Sequence, residues 1–193
     1  VKTLDSSESE YAHHLVEAMW ACQNVERPSE AILKRVLQSK DGHARAAGAR
    51  VIRYWYGDLS DPVGMIAQLS KDDFARVRME AVLAAGQIPD PRSILVAASV
   101  ADLPRDRWID YAFSQAVHHL KPVWVPAFRR GELDFGDRIR GLQAVLGHSG
   151  DRNLLADIRK LFVSGEAKGD AQVALGRTLI STGGDKEKQL VLE

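Results

Sequence analysis

The chain has 193 residues, with 26 basic and 26 acidic side chains and 45% apolar residues. This balance excludes an intrinsically disordered chain, and zero net charge argues against a dedicated nucleic-acid binder, which usually has a basic excess. No apolar run approaches the ~20 residues that span a bilayer, and the single cysteine excludes an internal disulfide framework. Because the chain starts at Val1 without a leader, we interpret residues 1–193 as a single array taken from a longer protein.

The apolar pattern predicts pairs of helices along the chain. Apolar side chains recur at three- and four-residue steps, as between Asp72 and Gln87, where Asp72 is placed as the N-cap and Pro89 follows the end. In chain order the predicted pairs are Ser9–Asn24 with Pro28–Gln38, Asp41–Trp55 with Pro62–Leu69, Asp72–Gln87 with Ser93–Val100, Arg107–Leu120 with Pro122–Arg129, Asp137–Leu146 with Asp151–Phe162, and Ala171–Ser181 with a shortened Lys186–Leu192.

Short echoes in the sequence indicate that these pairs are repeats. The segment that begins Ser39-Lys40-Asp41 returns at Ser70-Lys71-Asp72, and Glu80-Ala81-Val82 is echoed at Gln115-Ala116-Val117 and again, after a shorter interval, at Gln143-Ala144-Val145. One helix pair of this period cannot bury its apolar face alone, so neighbouring pairs are expected to stack. The sequence therefore predicts an all-α, right-handed α-α superhelix of five or six pairs, in which each pair contacts only its neighbours.

One of the predicted helices carries the motif of a known repeat family. Asp72-Asp73-Phe74-Ala75-Arg76-Val77-Arg78, followed by Glu80-Ala81-Val82, resembles the HEAT-repeat signature of Asp, then Val-Arg, then Ala one turn later. The resemblance implies a HEAT-like solenoid in which this helix lines the inner, concave surface and in which the Asp and Arg tie neighbouring repeats together. By the offset that carries Ser39 onto Ser70, Ala47 corresponds to Arg78, so the tie is expected to be missing there.

A longer ordered series, within Tyr11 to Phe128, is similar to the HEAT segment of large exported haem-binding proteins of planctomycete-type bacteria. Its segments are Trp20–Val25, His43–Ala47, Arg50–Trp55, Val77–Val82, Asp110–Ala112 and Leu120–Trp124. That family has a sugar-dehydrogenase-like β-propeller before the repeats and a cytochrome c-type domain with a CxxCH motif after them. The resemblance implies an exported, periplasmic parent protein with haem in a downstream domain. This chain has no CxxCH motif, and we expect it to hold no cofactor itself.

The candidate catalytic and metal-ligating residues each have a plainer structural explanation. Glu10, His13, His14 and Glu17 share neighbouring turns of one helix, but a di-metal site of this kind needs a second such motif, which is absent from the sequence. His118-His119 lies at a helix end, where the helix dipole favours a cationic imidazole. Core packing explains Cys22, and helix capping explains Asp72-Asp73. We therefore predict no catalytic residue and no metal ligand.

Basic residues are concentrated in one part of the chain. From Val1 to Leu33 there are six acidic and two basic side chains, whereas from Lys34 to Arg53 there are six basic and one acidic. In a stack of repeats the exposed residues of successive inner helices align, which predicts a basic strip that steers an anionic partner. The alternative, that these arginines pair with acidic residues of adjacent repeats, stays open. The candidate partner-binding residues are Arg45, Arg50, Arg76, Arg78 and Asp110.

The aromatic residues also have two interpretations. Tyr and Trp are frequent at the energetic centres of interfaces, and large aromatics also fill gaps between stacked helices. The residues concerned are Tyr54-Trp55-Tyr56, Trp108, Tyr111 and Trp124, for which core packing is favoured.

The function that these features favour is a non-catalytic scaffold, which presents its surface to another protein or to neighbouring domains of its own polypeptide. The alternative is an enzyme, a HEAT-like DNA glycosylase that holds damaged DNA in a concave groove. In that case Trp108-Ile109-Asp110-Tyr111 supplies an acid with aromatic neighbours. Neutral overall charge counts against nucleic acid as the partner. A lyase-type or adaptor HEAT protein that acts on a chromophore-bearing partner is a third possibility.

Overall fold

The structure is a computed structural model that describes residues 10–135, 138–149, 151, 153–165 and 169–192. Within these residues all regular secondary structure is helical, which confirms the all-α prediction. The twelve α-helices of the described residues are α1 (Tyr11–Asn24), α2 (Glu30–Leu37), α3 (Gly42–Trp55), α4 (Pro62–Leu69), α5 (Ala75–Ala85), α6 (Ser93–Ser99), α7 (Arg107–His119), α8 (Lys121–Arg129), α9 (Ile139–Ser149), α10 (Asn153–Ser164), α11 (Asp170–Thr182) and α12 (Asp185–Leu192).

The helices follow one another at a nearly constant interval. The odd-numbered helices begin at Tyr11, Gly42, Ala75, Arg107, Ile139 and Asp170, so the spacing between successive starts varies by at most two positions. The echoes of Glu80-Ala81-Val82 predicted uneven intervals between repeats, and the helix starts show that the intervals are nearly even. The difference arises because short echoes match side chains and do not mark where helices begin. The predicted starts at Ser9 and Asp137 lie outside the described residues. The last helix is not shortened, since α12 has eight residues, as α2 and α4 have.

Side-chain caps fix where several helices begin. Asp41 accepts a hydrogen bond from the His43 N–H at 2.9 Å, and Asp106 accepts from two backbone N–H groups at the start of α7. Such caps satisfy backbone donors that have no partner within the helix. The prediction that Asp72 caps the next helix is wrong, because α5 starts at Ala75 and its N-cap is Phe74.

The helices pack around two clusters of buried apolar side chains. Each odd-numbered helix contacts the next odd-numbered helix, from α1 to α11. The first cluster lies between α1 and α6, and the second runs from α5 to α11. Helix α5 belongs to both, because Val77, Ala81 and Ala84 face the first cluster while Val82 faces the second. Helix α6 also belongs to both, since Val96 is in the first cluster and Ile94 is in the second, so the third helix pair joins the two halves of the core.

One contact departs from stacking between neighbouring pairs alone. Helix α6 of the third pair packs against α9 of the fifth. Gly141 permits this approach, since a Cβ built on it would lie 3.0 Å from the Ala98 carbonyl oxygen and 3.1 Å from the Ala98 Cβ. The prediction that each pair contacts only its neighbours is thus wrong at this point, because two small residues let the backbones of non-adjacent pairs meet.

Candidate functional site

Arg45 ties the second pair of helices to the third. Its guanidinium donates two hydrogen bonds to the Asp72 carboxylate, at 2.7 and 2.8 Å, and Nη1 donates to the carbonyl oxygens of Ser39 and Lys40 at 2.8 and 3.0 Å. The Arg45 guanidinium holds the pKa of Asp72 below its ordinary value, and the carboxylate raises the pKa of Arg45. Arg45 is mostly buried, so its charge serves this tie.

Arg78 makes the equivalent tie one pair further on. Its Nη1 donates to the carbonyl oxygens of Asp72 and Asp73 at 2.7 and 3.0 Å, and its Nη2 donates to that of Pro104 at 3.0 Å. Like Arg45, it grips the carbonyls five and six positions before it, so these two arginines are structurally equivalent. The expectation that Ala47 is the equivalent position and that the tie is missing is therefore wrong.

The corresponding place on α7 has the opposite charge. Asp110 is the fourth residue of α7, as Arg45 and Arg78 are of α3 and α5. Its carboxylate lies 3.4 Å from the Arg105 guanidinium, and half of its side chain is exposed. The sequence-predicted site residues Arg45, Arg78 and Asp110 thus share one structural position on successive odd-numbered helices.

Glu80 forms a buried centre that sequence reasoning missed. Its side chain is 2% exposed, with one carboxylate oxygen 2.9 Å from Arg50 Nη2 and the other 3.0 Å from Arg53 Nη2. Two arginines three positions apart lie on one helix face, and an acidic residue about one repeat later was the signal available in the sequence. Arg50 is half exposed at this centre, whereas Arg53 is mostly covered.

Arg76 differs from the other predicted arginines. It is exposed on α5 and has no ion pair with any residue that the structure describes. The alternatives for the arginines were a basic strip and pairing with acidic residues of adjacent repeats. Arg45 and Arg50 form such ion pairs, whereas Arg78 hydrogen-bonds to backbone carbonyls. Of the four predicted arginines, Arg76 is the one without an ion pair or hydrogen bond to a described residue.

A groove of about 660 Å³ lies between α1, α3 and α5. Its floor contains four alanines, and two aromatic side chains stand at its edge: Trp20 is 50% exposed and Tyr54 is 63% exposed. Arg50 and Arg76 also line it. The groove is defined by Ala12, Trp20, Ala44, Ala46, Ala47, Arg50, Tyr54, Arg76 and Glu80, together with His13, Val16, Gln23, Asp41 and His43.

A second cleft, of about 470 Å³, adjoins the groove at Arg76. Met79 and Trp108 line it, and Trp108 is 57% exposed with the Arg107 guanidinium 4.7 Å from its ring centroid. Tyr111, three positions further along α7, is 62% exposed and lies on the same helix face. Arg76 thus joins two adjoining depressions, each with exposed aromatic residues at its edge.

The aromatic residues therefore divide between the two interpretations. Trp55 and Trp124 are buried, and the Trp124 indole donates to the Val117 carbonyl at 3.0 Å. The preference for core packing is wrong for Tyr54, Trp108 and Tyr111, which are exposed. Apolar spacing along the sequence did not separate the exposed aromatic residues from the buried ones, because each odd-numbered helix has a groove face next to its core face.

The remaining candidate residues form no assembled site within the described ranges. His13 Nε2 lies 3.1 Å from Glu17 Oε1 across one helical turn. Cys22 is partly buried beside the first core cluster. No group of three or more His, Cys, Asp or Glu side chains is placed to hold a metal ion in the part of the chain that is described. The absence of a catalytic residue and of a cofactor stays a prediction.

No family model, curated protein or solved structure matches this chain. Among the described residues, no helix combines the length and the apolar character needed to cross a membrane.

Proposed function

We propose that this chain is a non-catalytic, HEAT-like scaffold that binds a protein segment, from a partner or from a neighbouring domain, along its odd-numbered helices. The observation that carries the proposal is the run of exposed Trp20, Tyr54 and Trp108 beside two depressions that share Arg76. Exposed aromatic residues are costly to leave in water, and Trp, Tyr and Arg are the residues that dominate binding energy at interfaces.

We further propose that the helix pairs form a right-handed superhelix. The nearly even spacing of the helix starts and the contacts between successive odd-numbered helices support this arrangement. Such a stack places equivalent residues on successive helices, as Arg45, Arg78 and Asp110 each take the fourth position of α3, α5 and α7. The Arg45–Asp72 ion pair adds support, since it links α3 to the segment that leads into α5.

Selection from a random-peptide library on the immobilised chain tests the scaffold. Peptides that bind should lose at least tenfold in affinity for a variant with Trp20→Ala and Trp108→Ala, because both exposed anchors are removed. The matched control is Val163→Ala, which truncates an equally exposed apolar side chain on α10, outside both depressions. Selection of no peptide, or equal binding to the groove variant, contradicts the proposal.

The DNA glycosylase alternative has one feature in its favour, since exposed Trp108 and Tyr111 flank the half-exposed Asp110 on α7. Neutral net charge and the engagement of Arg45, Arg50 and Arg78 within the protein count against it. Binding to a DNA duplex at low and moderate salt separates the two functions. Tight binding that falls steeply with salt supports the enzyme, and no binding supports the scaffold.

The exported, haem-linked parent protein stays a prediction that depends on the sequence resemblance. The reading frame on either side of this segment tests it. A propeller before the segment and a CxxCH motif after it would support the prediction, and the absence of both would remove its basis.

A further inference from the structure

We infer that the groove and the adjoining cleft take an extended peptide segment that is both acidic and apolar, with one of its carboxylates on Arg76. The inference rests on the proposed scaffold function and goes beyond it by assigning the chemistry of the partner. The charge, the shape and the length of the surface each support it.

The groove has more positive than negative charge in contact with solvent. Glu80 is the acidic group at its base, and both of its oxygens are engaged by Arg50 and Arg53, so that two cations share one carboxylate. Arg76 adds a cation without an ion pair among the described residues. Asp41, the other acid that lines the groove, and Asp106, the acid that lines the adjoining cleft, each accept backbone N–H groups as helix caps. A carboxylate on the ligand complements this excess.

The shape of the groove requires an apolar component in the ligand. Four alanines line it, so small side chains leave room for a side chain of the ligand, and exposed Trp20 and Tyr54 line the same groove. In the adjoining cleft Met79 and Trp108 offer a second apolar contact beyond Arg76. Clefts of several hundred Å³ with aromatic walls and a few polar groups are typical binding sites.

The length of the surface favours an extended chain. Adjacent packed helices are about 8–10 Å apart, so the surface from α1 across α3 and α5 to α7 extends for about 25–30 Å. An extended chain advances about 3.3 Å per residue, and about eight or nine residues cover this distance. Apolar side chains on either side of a central acidic residue then meet Trp20 and Trp108 while the carboxylate meets Arg76.

Three nine-residue fluorescein-labelled peptides test the inference on the full chain by fluorescence polarisation. The first combines Glu with Leu and Phe, the second replaces each Glu by Lys, and the third replaces each Leu and Phe by Ser. We expect the acidic–apolar peptide to bind at least tenfold more tightly than either of the others. Equal binding of the first two peptides, or tighter binding of the Lys peptide, overturns the assigned chemistry but leaves a peptide-binding scaffold in place.

Charge reversal identifies the cation that is responsible. R76E should weaken binding of the acidic peptide at least tenfold and strengthen binding of the Lys peptide, because the ligand charge then matches the new carboxylate. Arg159, exposed on α10, supplies the matched control, and R159E should change neither affinity. Circular dichroism checks that both variants keep the fold. Unchanged affinities in R76E overturn the inference.

Other occupants are outcomes of the same experiment. Binding of a DNA duplex in competition with the acidic peptide, or self-association of the chain that blocks the groove, overturns the inference in favour of that occupant. If no peptide of either charge binds up to about 1 mM, which corresponds to about −4 kcal/mol, then the scaffold function fails together with its assigned partner.

Discussion

At the scale of single residues, charged side chains hold the odd-numbered helices in position. The two parallel hydrogen bonds from Arg45 to Asp72 are of the bidentate kind, which fixes geometry as well as adding energy. Glu80 is more deeply buried than Asp72, and its buried charge is tolerated because Arg50 and Arg53 both form ion pairs with it. These contacts specify how α5 lies on α3, and disturbing them should therefore change stability.

Removal of the Glu80 carboxylate tests how much its buried ion pairs with Arg50 and Arg53 contribute to stability. We expect Glu80→Ala to lower the free energy of unfolding by about 3 kcal/mol, because Arg53 is then left mostly buried without its partner. Urea denaturation followed by far-ultraviolet circular dichroism measures the change. Glu132→Ala, which breaks an exposed pair with Arg130, is the control and should leave the midpoint unchanged. Equal effects of the two substitutions would contradict the assignment of Glu80 as a buried centre.

The Asp72 carboxylate should make stability depend on pH in the acidic range. Its pKa in the folded protein lies below the ordinary value of 3.8, because Arg45 donates hydrogen bonds to the charged form. The unfolded chain therefore takes up the proton first as pH falls, so the stabilisation is complete above about pH 4 to 5 and is lost as pH falls through the lower, folded-state pKa. Asp72→Asn should cost about 2 kcal/mol at neutral pH.

The difference between wild type and Asp72→Asn, measured from neutral pH down to about pH 2, isolates this group. Glu30 loses stabilisation in the same range, since its hydrogen bonds with Lys34 and Ser60 lower its pKa to about 2. Because Glu30 is common to both proteins, its effect cancels in the difference. We expect the difference in unfolding free energy to shrink below about pH 4. A difference that stays constant across this range would refute the role assigned to the ion pair.

At the scale of elements, close approach between helices depends on small residues. Helix α9 reaches α6 because Gly141 has no side chain where Ala98 lies. The obstacle to a larger residue is partly backbone, namely the Ala98 carbonyl oxygen, which cannot rotate away as a side chain would. The contact between the third and fifth pairs is therefore sensitive to one methyl group.

Gly141→Ala should destabilise the protein by about 1–2 kcal/mol, because α9 must move away from α6. The control lies on the same helix: a Cβ at Gly147 meets nothing within 4 Å. Gly147→Ala should therefore stabilise by about 0.5–1 kcal/mol, since alanine restricts the unfolded chain more than glycine does. Thermal unfolding of both variants shows the signs. Stabilisation by Gly141→Ala would mean that the contact is looser than the structure indicates.

At the scale of the whole molecule, burial is uneven along the chain. Helix α5 contributes buried side chains to both core clusters, whereas the described residues of α12 contribute none. Helices that share fewer buried side chains with their neighbours open more easily than helices at the centre of the core. Stability should therefore be highest near α5 and lowest at α12.

Native-state hydrogen exchange measures this gradient. We expect amides of α5 to exchange only through global unfolding, with a free energy equal to that from denaturant titration, because both clusters must open to release them. Amides of α12 should exchange at least a hundredfold faster. Equal protection of the two helices would show that α12 is held by contacts other than the described ones.

Prediction from the sequence succeeded where the physics is local. The helix ends at Asn24, Trp55 and Leu69 follow from apolar spacing and turn residues, and they agree with the structure. The Asp72 cap was misplaced because its carboxylate accepts the Phe74 N–H before the first residue of α5, and Arg45 of the preceding pair also engages it, a partner that no local rule includes. The equivalence of Arg45 with Arg78 was missed for a similar reason, since it is defined by three-dimensional contacts.

By itself, the sequence determined that this protein is all-helical, because helical periodicity and turn chemistry act over a few residues at a time. Tertiary structure alone decided which arginines are engaged, which aromatic side chains face solvent, and that Arg76 is available beside them. Burial and pairing depend on the neighbours that packing supplies, and residues a whole repeat apart in the chain become neighbours only when the helices pack.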